Sequence, residues 1–298
     1  MKPAFVVNNF NKGGFVYRAA ASALAQTMPC EVILSDMQST DNSLGEIERA
    51  VAEAPRGADH EVRVLRCQIK GENTFISCSD HFDWIVSQTN AEWIIQCSSD
   101  DYSLSDRAKV CMEAVSQHPC SVVATTQFFE NAGETNRQAV SGFPQESGYI
   151  KAGEGLLRLA YGSVIAAYNR DFLKRVGSFG RNTPDVLWGF LAALDRGFYV
   201  VANPQHVHVN HADSNNMGFG GKLAAAAGED LLRLTELNHF QLLRLYFACW
   251  DAAQSLHPEG IPDEDTNALV NMILGQSKGW LDARSRLHAN KIIPWIME

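Results

Sequence analysis

The chain has 298 residues, 46% hydrophobic and 20% charged, enough to bury a sizeable core, and no apolar run approaches the ~18 residues that cross a bilayer. A formal net charge of −9 argues against a protein devoted to gripping a nucleic-acid backbone. Seven scattered cysteines without a C-x-x-C pair suit a reducing cytosol, and "MKPAFVVNNF" lacks a signal-peptide pattern, so a cytoplasmic location is expected.

Taken in chain order, "PAFVVNNF" is a short apolar strand ending on asparagine, followed by the helical spacing of "GGFVYRAAASALAQ". "EVILSD" is a second strand, and the polar run 39–42 offers N-caps to the helix "SLGEIERAVAEA". "HEVRVLRC" is a third strand, "ENTFISCSDHFDWIVSQT" a helix and "AEWIIQC" a fourth strand that runs into "SSDD". "SLSDRAKVCMEAVSQHP" is a helix capped by Ser103 or Ser105, and "CSVVATTQF" a fifth strand. Between about 128 and 160 the periodicity is lost. It returns with the strand "GSVIAAYN", the short helix "RDFLKRVG", the helix "TPDVLWGFLAALDRG" with Pro184 in its first turn, and the strand "FYVVAN". "PQHVHVNHADSNNMGFGG" reads as a histidine-rich loop, and residues 223–298 as helical. Alternation of strand and helix predicts βαβ units and a mostly parallel sheet flanked by helices. In such sheets ligands bind beyond the carboxyl ends of the strands, where Asn8, Asn9, Asp36, Asp100 and Asp101 should converge.

A strand that leaves the core on an aspartate in a polar turn presents a carboxylate at that edge. "LSDMQSTDNS" resembles the "DDGSTDNS" signature of family 2 glycosyltransferases with the GT-A fold. "VVNNFNKGGFVYRAAASALAQTMPCEVILSD" is similar to that family's opening strand, turn and helix, and "AEWIIQCSSDDYSLSDR" to the strand that leads into its aspartate-rich metal motif. "GSVIAAYNRDFLKRVGSFGRNTPDVLWGFLAALDRGFYVV" looks like its acceptor segment. The resemblance spans roughly residues 4 to 202. It departs from the pattern at Asn8, at Met37 in place of the second aspartate, at Ser98, and at Pro184 in place of the usual glutamate.

The resemblance implies an inverting enzyme that moves a sugar from a nucleotide-diphosphate donor, UDP-linked, to a hydroxyl of an unidentified acceptor: saccharide, protein or modified nucleic acid. It implies that Asn8, Phe10 and Asp36 line the nucleotide pocket and that Asp100 contacts ribose or metal. Asp100 and Asp101 would hold Mn²⁺ or Mg²⁺, with His208 or His211 completing the site. Asp101 should then be partly exposed. His206 and His208 occupy alternate strand positions and share a face, with His211 beyond. Asp185 would be the general base. The bland alternatives are a helix N-cap for "SSDDYS" and a dipole-favoured aspartate for Asp185. Trp84, Trp93 and Trp188 read as core.

The competing readings are a nucleotidyltransferase and a non-catalytic nucleotide-sugar-binding module; "NNFNKGGF" is a poor basic phosphate loop, and G-x-G-x-x-G is absent. The expected organisation is a transferase domain over 1–222, with a nucleotide-sugar half 1–125 and an acceptor half 126–222. A helical region over 223–298 follows, a candidate oligomer surface.

Overall fold

The computed structural model describes residues 1–67, 78–134, 136–140, 143–152, 166–176, 185–211 and 249–271, with backbone alone at 78–80 and 185–187. The chain divides into two compact units, Met1–Asn210 and His211–Glu298. The first unit carries β1 (Ala4–Asn9), α1 (Val16–Leu24), β2 (Glu31–Asp36), α2 (Ser43–Glu53), β3 (Glu61–Arg66), α3 (Cys78–Ser87), β4 (Trp93–Ser98) and β5 (Tyr102–Ser103). It continues with α4 (Arg107–Gln117), β6 (Val122–Asn131), β7 (Gln138–Ala139), β8 (Gly148–Ile150), β9 (Ala166–Asn169), α5 (Arg170–Val176), α6 (Asp185–Leu194) and β10 (Phe198–Asn210). In the second unit, residues 249–256 and 263–271 are helical, with Cys249, Ala253 and Leu269 fully buried.

The strands form one sheet in the order β3-β2-β1-β4-β9-β6-β10-β5, with β7 on β6 and β8 on β10. Pairs β1–β2, β2–β3, β1–β4 and β6–β10 are parallel, as the alternating pattern predicts. The sheet is nevertheless mixed, because β9 inserts between β4 and β6 antiparallel to both. Central strands are β-branched and buried on both faces: Val32, Ile33 and Leu34 have no exposure. On one face Phe5, Val7, Leu34, Ile95 and Cys97 pack beneath α1, α2 and α4, and the alanines of α1 (Ala19, Ala20, Ala23) allow close approach. The other face meets α3, where Phe82 and Trp188 of α6 pack on Tyr168 of β9. Trp93 and Trp188 are core side chains, and Trp84 stacks on His81.

Two expectations are revised. The segment "PQHVHVN" is not a loop: β10 runs on through it to Asn210, beside β6. Pro204 cannot donate to the ladder, and the sheet absorbs it by register shifts on either side. Helix α4 starts at Arg107, with Asp106 rather than a serine at its cap position, and Ser103 belongs to β5. Asp106 instead accepts the Thr27 hydroxyl at 2.5 Å.

Among the described glycines backbone proximity is tightest at Gly57, whose N–H donates to Leu24 O at 2.9 Å; a Cβ there would lie 2.3 Å from Ala25 O and 2.4 Å from Gln26 O. Gly57→Ala should therefore lower stability by ~1–3 kcal/mol in urea denaturation. Gly148→Ala, where a Cβ would meet nothing within 4 Å, should stay within ~0.5 kcal/mol of the parent.

Candidate active site

The polar stretch after β2 builds a scaffold rather than an open pocket. Asp36 is fully buried, and its carboxylate accepts Asn9 Nδ2 (2.8 Å), Ser39 N (2.9 Å) and Ser39 Oγ (2.5 Å). The next loop is laced to it. Ser39 Oγ also accepts Asn11 N at 2.8 Å, and Asn11 Oδ1 accepts Thr40 N at 2.8 Å. Lys12 N donates to Ser43 Oγ (3.1 Å) and Gly13 N to Asp41 Oδ2 (2.8 Å). Burial pushes the Asp41 carboxyl up, but the hydrogen bonds from Ser43 and Gly13 outweigh it and hold it below its ordinary value. Asn11 and Gln38 both adopt positive φ, 50° and 57°, so the two loops turn tightly against each other.

This lacing fixes the backbone that carries Lys12. Its Nζ lies 3.3 Å from Asp100 Oδ2, both side chains being largely buried. Strand register brings the partners together: Asn9 pairs with Asp36 on one side of β1, and Asn8 with Ser98 on the other. The ends of β2, β1 and β4 thus lie in adjacent strands at ~4.8 Å spacing, with Asp100 two residues past β4. Asn8 Oδ1 is buried with no hydrogen-bond partner among the described residues, and Phe10 is 39% exposed beyond the strand end.

Asp101 is not the partly exposed side chain expected of it. It is 3% exposed, and both carboxylate oxygens are engaged. Oδ2 lies 3.1 Å from His206 Nε2; Oδ1 accepts Val209 N at 2.9 Å and lies 3.0 Å from His208 Nδ1. Burial pushes this carboxyl up, but the two imidazoles, through hydrogen bonds and charge, hold it well below the usual carboxylate range. His206 Nδ1 faces Arg107 Nη1 at 3.2 Å. A guanidinium only donates, so Nδ1 accepts and Nε2–H is the donor to Asp101. Burial lowers the His206 pKa, consistent with this neutral tautomer. His208 differs: burial lowers its pKa, yet Asp101, with Asp100 behind it, raises it above the ordinary value. Its Nδ1 is committed to Asp101, and Nε2 has no partner among the described residues.

The chemistry of the donor set follows. No group of three or more His, Cys, Asp or Glu able to hold a metal ion occurs among the described residues. Asp100 and His208 Nε2 suit a divalent cation that takes its other ligands from phosphate oxygens and water. Asp101 suits an outer role, orienting the imidazole that would bind. No helix among the described residues is long and apolar enough to cross a membrane.

The family description Glycosyl transferase family 2 matches residues 4–177. The chain belongs to this family. No curated protein matches it. Among solved structures it is similar to S. aureus TarS 1-349 in complex with UDP-GlcNAc, with a TM-score of 0.58 at 15% identity over 91% of this chain and 79% of that one. It is also similar to mannosyltransferase PcManGT from Pyrobaculum calidifontis in complex with GDP-Man and Mn2+, with a TM-score of 0.51 at 14% identity over 100% of this chain and 88% of that one. At these identities the likeness is one of fold. The chain is a glycosyltransferase with the GT-A architecture.

Within this family 2 glycosyltransferase, Asp100, Lys12 and the ends of β1 and β2 lie together, and His206 and His208 meet Asp101. Asp185 opens α6, but its side chain lies outside the described residues. His211 begins the second unit. Asp195, at the far end of α6, is bound by both terminal nitrogens of Arg175 (2.6 and 2.7 Å) and by the Ser121 hydroxyl. Lys12 and Arg107 carry no motif, and His206, though part of the alternating histidine run, is not the ligand expected from sequence, which is His208 or His211. Alternation in "HVHVN" was the one available signal, and it implicates His206 as much as His208.

Truncating an exposed ligand costs little stability. Asp101→Ala should instead cost on the order of 3 kcal/mol, since it strips the acceptor from two imidazoles and the Val209 N–H. Urea denaturation measures this, and a loss under ~0.5 kcal/mol would place the carboxylate in solvent.

Proposed function

We propose that the chain transfers a sugar, with inversion, from a UDP-linked donor to a hydroxyl of its acceptor. The observation that carries this reading is the Lys12–Asp100 pair, an ammonium and a carboxylate 3.3 Å apart at the carboxyl edge of β4 in a chain of this family. Lys12 would neutralise part of the leaving diphosphate. Asn8, with its unsatisfied amide oxygen, and exposed Phe10 would receive the nucleotide, while Asp36 shapes the turn beneath them. Asp100 and His208 would hold Mn²⁺ or Mg²⁺, which when bound adds charge neutralisation at the diphosphate. The fold neighbours support such a donor: one was solved with UDP-GlcNAc, another with GDP-Man and Mn2+.

Asp185 is the proposed base. It would take the acceptor hydroxyl's proton while that oxygen attacks the anomeric carbon opposite the departing diphosphate, a single displacement that leaves no covalent intermediate. Its place in the first turn of α6 also suits a negative charge.

A panel of nucleotide sugars with and without Mn²⁺ or Mg²⁺, followed by thermal shift, tests the donor: a UDP-sugar should raise Tm, and more so with the cation. No response to any nucleotide sugar would contradict the reading. Asp185→Asn should cut transfer by ~10² to 10⁴-fold with donor affinity unchanged. Transfer at the parent rate would remove Asp185 from the mechanism.

A further inference from the structure

An exposed phenylalanine stands beside the His208 imidazole and has no part in the proposed donor site. Phe129, near the carboxyl end of β6, is 41% exposed, and its ring meets that of His208 edge-on with centroids 5.2 Å apart. A lone exposed apolar side chain is ordinary on a protein surface. The setting of this one is not. Phe129 pairs with His208 of β10 on one side and with Gln138 of β7 on the other, so the three side chains form one row across the sheet. Two residues further along, Asn131 pairs with Asn210, and strand alternation keeps both on the same face as Phe129.

This face is uncharged. Asn131, Gln138 and Asn210 are exposed, and none of the five positions carries Asp, Glu, Lys or Arg. Asn210 Nδ2 donates to Asn131 Oδ1 at 3.4 Å, while Asn210 Oδ1 and the Gln138 amide have no partner among the described residues. The charges of this corner lie on the opposite face. There the Tyr102 hydroxyl donates to Glu130 Oε2 at 2.5 Å and accepts Arg137 Nε at 2.8 Å, and Arg18 Nη1 donates to Glu130 Oε1 at 2.6 Å. Those groups satisfy one another.

A phenyl ring flanked by neutral amides complements a sugar ring, which presents C–H groups on one side and hydroxyls around its rim. A phosphate-bearing acceptor would find no cation at these positions. The row also contains His208, whose Nε2 is proposed to meet the cation at the donor diphosphate, so a ring on Phe129 lies next to the transfer site.

We infer that Phe129 is the platform for the acceptor, and that the acceptor is a neutral saccharide stacked on this ring, with its hydroxyls held by Gln138 and the Asn131–Asn210 pair. This names the acceptor class of the proposed transferase and rests on that reading for the use made of the bound sugar.

The test is calorimetry and saturation-transfer NMR with cellobiose, maltose, lactose and chitobiose, each added to the protein with saturating UDP. At least one disaccharide should bind alongside UDP. Phe129→Ala should weaken it by about tenfold or more, the scale of one aromatic contact. Phe129→Trp, which keeps a stacking face, should bind it at least as well as the parent. Gln138→Ala removes an amide two strands away from His208 and should also weaken it. Unchanged UDP affinity in all three variants shows that they are folded. Binding of none of the four disaccharides, or equal binding by Phe129→Ala and the parent, would overturn the platform. An equal loss of UDP and disaccharide affinity in Phe129→Ala would overturn it as an acceptor site, assigning the ring to the donor or to the seating of His208. If UDP does not bind the parent, the donor reading falls, while the effect of Phe129→Ala on the disaccharides still decides the platform.

Discussion

An ionised carboxylate with almost no access to water must be fully paired, and Asp101 meets that demand by drawing on a distant strand. Its partners are two imidazoles and one backbone N–H of β10, while β9 and β6 lie between β4 and β10 in the sheet. The segment after β4 is thereby fastened across the sheet, and β5 pairs antiparallel with β10 at His206 and Val207. His206 in turn needs its second nitrogen satisfied, which accounts for a fully buried Arg107 anchored on Ser103 Oγ at 2.9 Å. An isolated charge of this kind would be too costly to bury; as a network it defines one geometry.

The consequence for chemistry is a division of labour among similar residues. Asp36, Ser39, Asp41 and the Asn9 amide nitrogen are spent on one another and on the loop that carries Lys12. Asp101 spends its oxygens on imidazoles. Left over are the Lys12–Asp100 pair, the outer nitrogen of His208, the buried Asn8 amide oxygen and the exposed Phe10 ring. Groups held by a satisfied inner layer need little reorganisation when a diphosphate arrives, and such preorganisation is what electrostatic catalysis requires.

The parallel core was legible because buried β-branched runs and amphipathic helices alternate with clear breaks. The insertion of β9 was not, since the four residues "AAYN" say nothing about direction or neighbours. The carboxylates at strand ends could be listed from the sequence, but their roles could not be separated. A buried, paired aspartate and an open one look alike as "DD", and the difference lies in β10 some hundred residues later. Pro204 disguised the strand that supplies those partners, because register shifts around a proline leave no periodic trace. Arg18, Glu130 and Arg137 carry no motif at all; only the fold brings three such distant positions onto the ring of Tyr102.

The account's central claim is that Asp101 organises the site while Asp100 and His208 meet the cation and the diphosphate. A crystal structure grown with Mn²⁺ and UDP, with the metal placed by its anomalous signal, tests this most directly. The account predicts manganese on Asp100 and His208 Nε2, with Asp101 still bonded to both imidazoles and to Val209 N. Manganese bound by the Asp101 carboxylate, with His206 and His208 turned away from it, would contradict the account.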